Sequence, residues 1–100
     1  MEPEKVIDLL CERVLIDDND PQINKIWDEL TETLSQDLGE TINFLKNCSA
    51  SQLYYISEVF EDIAYNFKNI KFIDILNELN IRYPDLNMES DIELAKSYIE

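Results

Sequence analysis

Tyr54, Glu58, Glu61, Asp62 and Tyr65 follow one another at spacings of 4, 3, 1 and 3. On a helix such spacing projects all five from one side. Tyrosine offers rigid amphipathic contact area, and a carboxylate accepts both arms of an arginine. The stripe is therefore suited to gripping a basic protein. Like-charge pairs such as Glu58–Glu61 and Glu58–Asp62 each cost about 0.2–0.5 kcal/mol in an isolated helix. A face that tolerates them is a candidate contact surface, against the plain alternative of a solvated helix face. Asp28 and Glu32, with Glu29 between them, form a second and supporting acidic patch. Lys25, four residues before Glu29, is placed to pair with it.

Catalysis is a poor fit to this composition. The chain has 22 Asp plus Glu, 8 Lys plus Arg and no histidine, for a net charge of −14. Without histidine it lacks the side chain that titrates near neutrality and the commonest metal ligand. The expectation is a non-enzymatic protein with no cofactor and no metal. An EF-hand reading of Asp17-Asp18-Asn19-Asp20 fails, because from Asp17 the glycine position holds Gln22 and the bidentate glutamate position holds Asp28. Cys11 and Cys48, the only cysteines, supply no zinc set. They read as free thiols of a reducing compartment. Phosphate would be repelled by so acidic a chain, so direct nucleic-acid binding is disfavoured. An acidic helical surface that imitates DNA is a second possibility. An acyl carrier would need a serine in an Asp-Ser-Leu context, which does not occur here.

Helices must position these groups. A single glycine and three prolines argue against a turn-rich sheet fold. Six helical segments are readable. Pro3 to Leu15 carries Val6, Leu9, Leu10 and Val14 inward. Asp20-Pro21 starts a second helix, with Ile23, Ile26, Trp27, Leu30 and Leu34 as its core stripe. Asp37 with Glu40 resembles a capping box for a short third helix. Ser49 with Gln52 caps a fourth, in which Leu53, Ile56, Ser57, Phe60, Ile63, Ala64 and Phe67 form a wide apolar face. Asn69 caps a fifth, which ends at or before Tyr83 because proline follows. Asn87 caps the last, with Met88, Ile92, Ala95 and Ile99 inward. Short connections favour antiparallel neighbours. The expected fold is all-α: a compact bundle of about five to six short antiparallel helices, or stacked helix pairs, in a single domain over residues 1–100. No apolar run approaches the roughly 20 residues that span a bilayer, and the acidic start Met1-Glu2-Pro3-Glu4 does not read as a secretory leader. A cytoplasmic protein without membrane contact is expected.

The segments Thr41-Ile42-Asn43-Phe44-Leu45, Ser57-Glu58-Val59-Phe60-Glu61-Asp62-Ile63, Arg82-Tyr83-Pro84-Asp85-Leu86 and Ala95-Lys96-Ser97-Tyr98-Ile99 resemble small acidic immunity proteins. These belong to bacterial polymorphic-toxin systems, including contact-dependent growth inhibition. The likeness covers residues 25–99, and the heptapeptide from Ser57 is its strongest piece. It implies a cytoplasmic protein that neutralises a cognate basic toxin, often a nuclease, by tight binding. It also implies that Glu58, Glu61 and Asp62 contact that toxin.

Overall fold

Local capping chemistry sets most helix boundaries in this computed structural model, which describes residues 1–99. The helices are α1 (Pro3–Leu15), α2 (Gln22–Leu34), α3 (Leu38–Asn47), α4 (Ala50–Ile56), α5 (Phe60–Phe67), α6 (Ile70–Arg82) and α7 (Glu89–Ser97). Short 3₁₀ turns, Ser57–Val59 and Pro84–Leu86, complete the regular structure, and no strand occurs among the described residues. Before α2 the Asp20 carboxylate accepts the Gln22 N–H at 2.9 Å. Asp37 accepts from Glu40 at 2.9 Å. Ser49 and Gln52 close a full capping box, with bonds of 2.9 and 3.1 Å. Asn69 accepts the Lys71 N–H at 2.9 Å, and α6 stops at Arg82, one residue short of Tyr83.

Four expectations about these elements need correction. Pro21 takes the N-cap position of α2 rather than the first helical position, so Asp20 stands one residue ahead of the cap. The fourth predicted helix is not continuous, because the 3₁₀ turn Ser57–Val59 separates α4 from α5. There the Ser57 hydroxyl donates back to the Tyr54 carbonyl at 2.5 Å, an alternative to regular helix bonding. Taken as one broken helix, α4 and α5 make the total six. Asn87 does not cap α7. It adopts the left-handed conformation, φ 56°, and closes the preceding turn, a role its short polar side chain tolerates. Val14 does not enter the core: it is 54% exposed, while Arg13 is 3% exposed in its place.

Elsewhere the apolar stripes go where the periodicity sends them. Leu30, Leu34, Leu53, Ile56, Phe60, Ile63, Phe72, Leu76, Leu79 and Met88 are fully buried. Phe60 and Phe72 meet edge to face, 6.3 Å between centroids. Helix α1 packs on α2, α3 on α6, α5 on α7, and α2 reaches both α5 and the turn before it. Trp27 lies half-buried at the margin of this core. Cys11 is exposed and Cys48 half-buried, and both are free thiols. No helix among the described residues is long and apolar enough to cross a membrane.

Candidate functional site

Arg13 determines which acids are available for contact. It is placed among Val6, Leu9 and Leu10 on the inward side of α1, so burying that stripe buries a guanidinium. A buried charge requires a partner. Glu58, in the turn between α4 and α5, supplies it through a fork: Nε to Oε1 at 2.8 Å and Nη2 to Oε2 at 2.7 Å. Asp18 accepts a further bond from Nη2 at 2.8 Å. Trp27 donates its indole N–H to Glu58 at 3.1 Å, and Tyr55 lies under the guanidinium, 5.1 Å from the ring centroid. These bonds hold the arginine firmly protonated, with the Glu58 contact the largest cause. Glu58 thus ties α1, α2 and the 3₁₀ turn together, with a side chain 26% accessible.

The other acids have a different setting. Asp28 and Glu32 of α2 line a groove with Asp62 and Tyr65 of α5; Thr31, Ser35 and Asn66 complete it. Its volume is about 440 Å³. Packing of α2 on α5 creates it. Among the described residues none of Asp28, Glu32 and Asp62 makes an ion pair or a side-chain hydrogen bond. Partial burial raises the pKa of Asp62, and the charges of Glu61 and Asp28 raise it further. Nearby, Glu61 accepts a hydrogen bond from the Tyr98 hydroxyl at 2.8 Å, which raises the phenol pKa. The Tyr65 ring stands edge-on to Tyr98, 5.6 Å between centroids, and the Lys68 ammonium lies 4.7 Å from the Tyr65 centroid. That lysine follows from the end of α5, where Lys68 takes the left-handed conformation at φ 47°.

Of the seven residues singled out in the sequence, four share the groove: Asp28, Glu32, Asp62 and Tyr65. Glu61 sits beside it through its contact with Tyr98 and its charge on Asp62. Glu58 belongs to the arginine cluster. Tyr54 is exposed on α4 and stacks edge-on with Tyr55 at 5.2 Å rather than joining the groove. Lys25 and Glu29 do not reach ion-pair distance; they line a separate hollow with Glu12 and Leu15.

Two contributors escape a helix-by-helix reading. Asp91 of α7 carries a raised pKa from burial first, then from Glu58 and Glu61. Tyr98 follows α7 and reaches Glu61 across 37 positions. Neither is implied by spacing within one helix. Arg13 did leave a signal, a lone cation on an apolar stripe. The whole arrangement offers carboxylate acceptors and tyrosine faces to a cation. No group of three or more His, Cys, Asp or Glu among the described residues is arranged to hold a metal ion. Comparison with protein-family models, curated proteins and solved structures gives no match to this chain.

Proposed function

We propose that the chain is a non-enzymatic immunity protein that binds a basic bacterial toxin domain, a nuclease in the leading case, through the groove between α2 and α5. One observation carries this reading. Asp28, Glu32 and Asp62 come from two helices to one open groove and meet no cation of their own there. Carboxylates gathered against their mutual repulsion are stabilised when a partner brings arginine or lysine. Tyr65 and Tyr98 flank them with aromatic surface of the kind that anchors interfaces. The net charge of −14 would steer a basic partner to the encounter, and aromatic contact would slow its departure. The likeness to immunity proteins assigns the partner class. It also makes the cytoplasm, where a toxin must be met, the proposed location.

The internal role of Glu58 decides how this is tested. Reversing Glu58 would set a cation against the buried Arg13, leave it only Asp18 as an acidic partner, and damage the fold, so lost binding would be ambiguous. The informative variant is Asp28→Asn/Glu32→Gln/Asp62→Asn. A basic C-terminal toxin domain is expected from a neighbouring reading frame, and co-purification with it should be lost in this variant while cooperative melting is kept. Undiminished capture would reject the groove as the contact surface.

A further inference from the structure

A second trough runs beside α1 and shares no lining residue with the α2–α5 groove. It consists of two adjoining hollows of about 440 and 90 Å³, both lined by Ile7 and Gln52. Phe44 and Cys48 wall one end; Cys11, Val14 and Tyr55 wall the other. The sequence of α1 explains why it stays open. Val6, Leu9 and Leu10 bury one face of the helix. Ile7, Cys11 and Val14, at spacings of 4 and 3, form a second apolar stripe that remains in solvent. Ile7 is 40% exposed.

Next to that stripe on the helix surface stand two carboxylates four residues apart, Glu4 beside Ile7 and Asp8 beside Cys11, while Glu12 turns to the hollow shared with Lys25 and Glu29. Both rim carboxylates are exposed, and neither makes an ion pair among the described residues. Apolar floor and acidic rim together define the chemistry of an occupant. A second copy of this chain would bring another −14 of charge to the contact, so self-docking is opposed. An anionic bilayer is opposed for the same reason. A segment with an apolar face bordered by lysine or arginine at four-residue intervals matches both features. From Pro3 to Val14 the helix is about 16 Å long at 1.5 Å per residue, room for about three turns of a partner helix.

We propose that this trough docks a cationic amphipathic helix of a partner protein, its apolar face on Ile7, Cys11 and Val14 and its basic residues on Glu4 and Asp8. The site goes beyond the α2–α5 groove and stands or falls without it.

Cys11 makes the test direct. It is exposed in the floor of the trough, whereas the half-buried Cys48 has its thiol pushed up to about 11 by burial. A maleimide at neutral pH therefore labels Cys11 first. Three probes are compared: a leucine–lysine peptide in amphipathic helical order, the same composition in scrambled order, and oligolysine. With the amphipathic peptide at about ten times its Kd, mass action should slow Cys11 labelling about tenfold. Scrambled peptide and oligolysine should leave the rate unchanged. Glu4→Gln/Asp8→Asn, both surface positions, should remove most of the protection, and Asp28→Asn/Glu32→Gln/Asp62→Asn should keep it. Equal slowing by oligolysine or scrambled peptide, or no slowing by the amphipathic one, would overturn the proposal. So would protection that grows with the protein's own concentration, which would make a second copy the occupant. Toxin-domain capture is read separately, so either site can fail alone.

Discussion

Glu58 and Asp62 lie one helical turn apart on the same sequence stripe, yet the fold gives them opposite situations. Glu58 meets a buried arginine from α1, a tryptophan N–H from α2 and a tyrosine-backed guanidinium. Asp62 has no ion-pair partner among the described residues, and partial burial first, then the charges of Glu61 and Asp28, raise its pKa. Residue type and spacing do not separate the two cases. The cation that distinguishes them comes from 45 positions away in the chain. An acidic stripe therefore reads as contact surface only after subtracting the carboxylates that neighbouring helices already neutralise. Here that subtraction leaves Asp28, Glu32 and Asp62, with Glu61 and Asp91 at the margin.

The contrast can be broken most forcefully from the arginine side. Arg13→Ala should cost about 2 kcal/mol or more, because it deletes charge-assisted bonds and the packing of a buried side chain, leaving Glu58 with the Trp27 N–H and solvent. Urea unfolding would measure this, and a loss below about 1 kcal/mol would place Glu58 with the unpaired acids. Trp27→Phe keeps the packing and deletes the indole donor to Glu58. It should cost about 1 kcal/mol by the same measurement.

The groove side has the opposite sign. Asp62 and Asp91 have folded pKa values above their ordinary 3.8, so in that interval the folded chain binds more protons than the unfolded chain. Their contribution to stability must then fall as pH rises from 3.8 through the raised folded values. Asp62→Asn/Asp91→Asn should flatten this descent and raise stability at neutral pH, by less than about 1 kcal/mol after solvent screening. Melting against pH for both proteins would show it, and a steeper descent in the variant would contradict it. The smallest effect is ionic. Added salt should raise the melting temperature by screening self-repulsion, and by less in Asp28→Asn/Glu32→Gln/Asp62→Asn.

Much of the fold was legible because its signals are local. Capping at Ser49 and Asn69 and the stop before Pro84 involve residues a few positions apart and operate as read, while Asp37 forms one half of its box and Asp20 sits one residue ahead of the cap. Stripes such as Leu53, Ile56, Phe60 and Ile63 needed only periodicity. The misses were of another kind. The Ser57–Val59 turn depends on a hydroxyl choosing its own helix carbonyl. The exchange of Val14 for Arg13 depends on Tyr55 of α4 and Glu58 of the turn that follows it. Four of the seven candidate site residues converge because α2 packs on α5, which no single-helix pattern reveals. Asp91 and Tyr98 join from the C-terminal helix region, where only tertiary contact connects them to the site.

The unneutralised acids, and not Glu58, are held to carry recognition. Calorimetric titration of the proposed toxin partner into the wild type and into Asp28→Asn/Glu32→Gln/Asp62→Asn puts this to the proof most directly. Affinity should fall about a hundredfold, with a melting temperature equal to or above that of the wild type. An unchanged affinity in a folded triple variant would show that the grip lies elsewhere.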